Sequence, residues 1–179
     1  MKGIIFNLLE EVVTSAHGAI AWADLVDAAD VGGAYTSLGS YPDAELLALV
    51  DTGAAALGLT AAQVLRWFGR SAMPLLSVRF AHLFAPHANA RGFVSSVNAI
   101  IHPEVRVLYT GAACPHFHFT DRPDGTMMIG YQSSRRLCPL VEGFVEGASD
   151  HFGETVMIEH VACMHSGAPL CRIVVRWPH

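Results

Sequence analysis

The chain has 179 residues, enough for one well-buried core and too few for two ordinary domains, so a single domain over 1–179 is expected. Hydrophobic residues make up 52% and charged residues 15%, a surplus that points to a large interior able to enclose an apolar group. A net charge of -5, with Lys2 the one lysine, excludes a phosphate-binding surface and with it a nucleic-acid partner. No apolar run approaches the ~18 residues of a membrane span and no export signal opens the sequence, so no membrane partner is expected and a cytoplasmic location is.

Ile5, Leu8, Leu9, Val12, Val13 and Ala16 recur at helical spacing, with Gly18 as the stop. A second helix around Trp22, Leu25, Val26 and Ala29 is predicted to end at Gly32 and Gly33, and a third follows Tyr41-Pro42-Asp43 and closes at Gly58. Thr60 and Gln63 predict a capping box for a helix ending at Gly69. Two further helices are predicted over 71–84 and 91–109, the latter bent at Pro103.

After Pro115 the period changes to two. Residues 116–120 and 127–131 flank the turn at Asp121 to Gly125 and predict a hairpin; a helix over 134–152 and strands over 155–163 and 170–177 follow. The fold class expected is α+β: a helical N-terminal subdomain packed on a C-terminal, mostly antiparallel sheet with helices.

Tyr131, Ser133 and Arg135 alternate where a strand runs into a helix, so in extended chain all three project from one face. Two hydroxyls and a guanidinium suit carboxylates; the same pattern also reads as a solvated polar face. His102 lies on an apolar helix beside Ile101 and Val105, where a buried imidazole is either a metal ligand or a core histidine satisfied by a carbonyl.

Cys138, His160, Cys163 and Cys171 form a Cys3His inventory suited to tetrahedral zinc, with free thiols as the alternative. Residues 160 and 163 face opposite sides of a regular strand, so the site requires Cys163 in a bulge or in the turn. His165 is near enough in sequence to replace a ligand, and Cys114 stands apart as a small buried hydrophobe.

The stretches MKGIIFNLLEEVV, YTSLGSYPDAELLALV, IIHPEVRVLYTGAACPHF and YQSSR occur in the order seen in the H-NOX family of haem domains, which the chain resembles over essentially its whole length. The resemblance implies haem b buried between the two parts of the fold. It implies His102 as the iron ligand, Tyr131, Ser133 and Arg135 on the haem propionates, and Pro115 packed on the porphyrin. Ile5, Leu9, Leu140 and Phe144 are implied to line or press on the pocket, with Ala72 and Leu76 joining them. The string around His160 and Cys163 is similar to a zinc-containing subset of stand-alone members.

Some family members place a tyrosine at the position of Leu140 that stabilises bound oxygen. With Leu140, Leu9 and Ala72 in this chain, selectivity for nitric oxide over oxygen is expected, with carbon monoxide as a non-physiological ligand. Loss of the bond from His102 to iron is the expected signal. The last strand is followed by Trp177, Pro178 and His179, so output is expected in trans through a histidine kinase or a cyclic-di-GMP enzyme. No catalytic activity is expected, the Cys114-Pro115 and Cys138-Pro139 dipeptides being set aside as thiolate haem sites. The alternative function is a zinc and thiol redox sensor acting through Cys138, Cys163 and Cys171.

Overall fold

The computed structural model describes residues 1–178; His179, the end of the expected 1–179 span, lies outside them. The helices are α1 (Gly3–His17), α2 (Ala19–Ala28), α3 (Asp43–Leu57), α4 (Ala61–Arg79), α5 (Ala81–Phe84), α6 (Ala90–Ser95), α7 (His102–Leu108) and α8 (Cys138–His151). The strands are β1 (His116–Asp121), β2 (Met127–Gln132), β3 (Met157–Ala162) and β4 (Cys171–Arg176). No single helix among the described residues is long and apolar enough to cross a membrane.

The apolar stripe of α1 builds the first core. Phe6, Leu8, Leu9 and Val12 are buried there, and Phe6 stacks on Tyr35 at 4.1 Å and meets Tyr41 edge-on at 5.7 Å. Gly18 stops α1, and Gly58 closes α3 in the left-handed conformation, as predicted. The capping box also forms: Thr60 Oγ1 accepts from Gln63 N–H at 3.2 Å, and Gln63 Oε1 accepts from Thr60 N–H at 2.8 Å.

The predicted stop at Gly69 does not occur. One helix, α4, runs 19 residues through Gly69 and Pro74, and its cause is tertiary. A Cβ at Gly69 would lie 2.5 Å from the Leu140 carbonyl oxygen, one at Gly143 2.0 Å from that of Arg66, and one at Gly147 2.6 Å from that of Arg70. Bare backbone therefore meets bare backbone where α4 crosses α8. Pro74 has no N–H to offer the Arg70 carbonyl, which instead lies against Gly147. The packing gained at this crossing outweighs the roughly 1 kcal/mol propensity cost of a mid-helix glycine. Arg70 Nε and Nη2 grip Asp150 at 2.6 and 2.9 Å farther along the same crossing.

The helix predicted over 91–109 is divided. After α6 the backbone widens into a π-turn over Val97–Ile101, in which the Ser96 carbonyl receives N–H groups from Ala99, Ile100 and, five residues on, Ile101 at 3.1, 2.8 and 3.4 Å, the His102 N–H reaches the Val97 carbonyl, and α7 begins at His102. Pro103 supplies no N–H and crowds the turn before it, and the wider turn absorbs both effects where a bend was expected.

The sheet is antiparallel throughout, in the order β1-β2-β4-β3. Its inner face, with Ile129, Tyr131, Ile173 and Val175, forms a second core with Phe93 of α6 and Val145 of α8. α8 starts at Cys138 rather than 134 because the chain first turns sharply, with Arg136 at φ 52°. The expected helical part packed on an antiparallel sheet is the observed architecture.

The α4–α8 contact sets two opposite outcomes for glycine replacement. Gly143→Ala forces the backbones apart and should cost about 2–3 kcal/mol. Gly53→Ala, in α3 with nothing nearer than Leu25 Cδ1 at 3.8 Å, should stabilise by roughly 0.5–1 kcal/mol. Urea unfolding of the two variants reads both signs.

Candidate functional site

A cavity of about 490 Å³ opens between the N-terminal helices and the sheet, within the roughly 300–1,000 Å³ of ligand and cofactor sites. Ile5 and Leu8 of α1, Met73 and Leu76 of α4, and Leu140 and Phe144 of α8 give it apolar walls. His102, Tyr109 and Pro115 line it from the segment between the π-turn and β1, and Phe117 from β1 itself. Leu9 and Ala72 do not line the cavity. Both are buried in the N-terminal core, because α1 and α4 turn Leu8 and Met73, their sequence neighbours, toward the space.

His102 is the imidazole of this cavity. Burial, with a smaller contribution from the Arg106 charge, pushes its pKa down to about 4, so it is neutral at neutral pH and has a lone pair to give. Its Nδ1 is buried without a hydrogen-bond partner. A core histidine satisfied by a carbonyl, the alternative left open by the sequence, is not what the structure contains.

Tyr131, Ser133 and Arg135 all reach the same cavity. The Tyr131 hydroxyl accepts the Leu137 N–H at 3.0 Å, and Ser133 Oγ accepts the Arg135 N–H at 3.2 Å. Arg135 donates from Nε to Asp43 Oδ2 and from Nη1 to the Ala113 carbonyl, both at 2.8 Å. Burial works against the Asp43 charge, but the Met1 ammonium and Arg135 together hold its carboxyl below the usual range. The guanidinium is thus aimed before any ligand arrives, with Nη2 left to meet a carboxylate. An apolar slot, a neutral imidazole and a polar rim with a fixed cation fit haem, whose flat ring is apolar and whose propionates are anionic.

A second cluster lies at the far end of α8 from Asp150. One ligand atom each from Cys138, His160, Cys163 and Cys171 lies within 4.8 Å of the others, an arrangement able to hold a metal ion. Cys138 opens α8 and Cys171 opens β4, both buried. The geometric demand on Cys163 is met twice: the pairing of β3 with β4 slips between His160 and Ala162, and Cys163 sits past the strand at the start of a 3-10 turn. Burial pushes the thiols of Cys138 and Cys171 up, and His160 Nε2 is buried with no partner. These groups fit a soft, doubly charged metal that displaces thiol protons. His165 is engaged elsewhere, its Nε2 lying 2.7 Å from the Arg136 carbonyl oxygen. Cys114 is outside the cluster and borders the cavity.

Several functional candidates escaped the sequence. Tyr109 borders the cavity seven residues after His102, and its spacing of two helical turns was the available signal. Asp43, which aims Arg135 from 92 positions away in sequence, left no local signal.

The Tyr131 hydroxyl is the sole acceptor given to the buried Leu137 N–H among the described residues. Tyr131→Phe should therefore cost about 1–3 kcal/mol, read as a lower denaturation midpoint of the metal-free and haem-free chain.

Residues 2–160 match the family described as haem-NO-binding. No curated protein sequence matches the chain. The fold is similar to the crystal structure of an H-NOX protein from S. oneidensis in the Fe(II)NO ligation state, with 32% identity, full coverage of both chains and a TM-score of 0.94. It is also similar to an H-NOX domain from Shewanella oneidensis determined by NMR in the Fe(II)CO state, with 32% identity, 100% and 99% coverage and a TM-score of 0.90. An unliganded Fe(II) H-NOX protein from K. algicida shares the fold at 21% identity, 100% and 97% coverage and a TM-score of 0.85. The cavity, its histidine and its rim thus occur in a chain that belongs to the haem-NO-binding, or H-NOX, family.

Proposed function

We propose that residues 1–179 form one cytoplasmic haem-based sensor of nitric oxide that acts on a separate signalling protein, either a histidine kinase or a cyclic-di-GMP enzyme, rather than an enzyme in its own right. The observation that carries this reading is the neutral imidazole of His102 on the wall of an otherwise apolar cavity. Haem b, when bound, would supply a ferrous iron able to take a diatomic gas, with His102 the residue that would hold it.

The chain's own residues give the reading its detail. His102 offers a ring nitrogen, and Tyr131, Ser133 and Arg135 receive the propionates. Ile5, Pro115 and Phe144 press on the ring, with Leu140 beside them and Leu9 supporting Ile5 and Leu8 from the core. Leu140, Phe144 and Ile5 carry no hydrogen-bond donor. Bound oxygen, which gains from a donor, is therefore disfavoured relative to nitric oxide, and carbon monoxide is a non-physiological ligand.

Release of His102 is the proposed signal. No residue of the π-turn or of α7 is fully buried; besides His102, this segment is held by the half-buried Val97, Ile101 and Val105, by the bond from Asn98 Nδ2 to the Phe117 carbonyl, and by the contact between Glu104 and His82. The cluster of Cys138, His160, Cys163 and Cys171 is read as a structural zinc site. A second function, thiol redox sensing through these cysteines, draws support from the 3.8 Å separation of the Cys138 and Cys163 sulfurs.

Absorption spectra of the ferrous protein with and without nitric oxide, together with iron and zinc analysis, test these assignments at once. A stable nitrosyl complex, no stable oxy-complex in air, and about one iron and one zinc per chain are expected; an oxy-complex that persists in air refutes the gas selectivity. In His102→Ala supplied with free imidazole, haem should stay bound while nitric oxide no longer raises hydrogen exchange over 97–108. Exchange that still rises refutes release of His102 as the signal.

A further inference from the structure

The four ligand residues do not explain why a carboxylate is buried beside them. Glu142 is 7% exposed and lies one helical turn after Cys138 on α8, so the two side chains share a face. A buried carboxylate is costly unless its lone pairs are taken, and both oxygens of Glu142 are engaged. Oε1 lies 2.6 Å from His160 Nδ1, and Oε2 accepts from Arg66 Nη1 at 3.1 Å. Arg66 is fixed in turn by Glu146, to which its Nε and Nη2 donate at 3.0 and 2.8 Å.

The direction of the His160 bond follows from the chemistry of its partner. An ionised carboxylate only accepts, so Nδ1 carries the hydrogen and the lone pair of the ring stands at Nε2. That nitrogen is buried and lacks a partner, and with Nδ1 taken by Glu142 it is the ring atom left to join the three cysteine sulfurs, which lie within 4.8 Å of a nitrogen of this ring.

We propose that Glu142 is the positioning residue of the metal centre: it sets His160 to bind metal through Nε2, and Arg66 holds Glu142 in place for that task. The inference rests on reading the cluster as a metal site. A carboxylate behind a ligating imidazole fixes the ring's orientation and tautomer and raises its basicity toward the metal. Arg66 belongs to α4, which also supplies Met73 and Leu76 to the cavity. The metal centre is thereby joined through Glu142 to a helix that walls the haem pocket.

The test uses the full chain loaded with zinc. Long-range proton–nitrogen NMR of the wild type should find His160 protonated at Nδ1 with Nε2 on the metal; the reverse assignment overturns the proposal and needs no variant to fold. Chelator competition should find zinc held roughly 10–100-fold more weakly by Glu142→Gln, a change that keeps the side chain's size and its ability to accept from Nδ1. Arg66→Met should weaken zinc less, and the double variant should bind as Glu142→Gln does, because Arg66 acts through Glu142. Equal affinities for wild type and Glu142→Gln overturn the positioning role, and additive losses overturn the link to Arg66. A wild-type chain that takes up no zinc overturns the metal reading itself, an outcome distinct from the other two.

Discussion

The close approach of α4 and α8 is the constraint on which the rest of the structure depends. Glycines at 69, 143 and 147 let the two backbones touch, and no other residue type fits between them. From that crossing, α8 extends Leu140 and Phe144 into the cavity and brings Cys138 and Glu142 to the Cys3His cluster. One helix therefore serves two sites, and the position of both is set by a contact in which backbone meets backbone. Close-packed interiors transmit such placement because they deform little.

The cavity follows a different principle, a polar rim prepared around an apolar space. Each rim group is oriented by a partner outside the cavity: Tyr131 by the Leu137 N–H, Ser133 by the Arg135 N–H, and Arg135 by Asp43 and the Ala113 carbonyl. Ordering these groups in advance lowers the entropy lost when a ligand carboxylate arrives. The Asp43 bond also reaches from α3 to the segment after β2, so the rim fastens the N-terminal helices to the sheet at the mouth of the cavity. His102 is held in the opposite manner, at the head of a short helix with no fully buried residue. The rim is thus fixed by partners outside the cavity, whereas the segment that carries His102 is only half-buried.

The Cys3His cluster depends on a local irregularity. A regular strand would send His160 and Cys163 to opposite faces, and the slipped pairing of β3 with β4 brings them together. The antiparallel sheet thus contributes both the cavity-lining Tyr131 and, across the register from it, Cys171.

Local patterns in the sequence determined the elements with strong signals: the apolar stripe of α1, the capping box at Thr60, the hairpin, the alternation of Tyr131, Ser133 and Arg135, and the Cys3His inventory with its demand for a bulge. Each rests on interactions within a few residues, which composition and period encode. Tertiary structure alone decided that Gly69 lies inside a helix, that Pro103 follows a π-turn, that Leu8 rather than Leu9 faces the cavity, and that Asp43 aims Arg135. In each case the deciding partner is distant in sequence or the choice is between faces of one helix. Packing resolves such choices, and propensity carries no information about it.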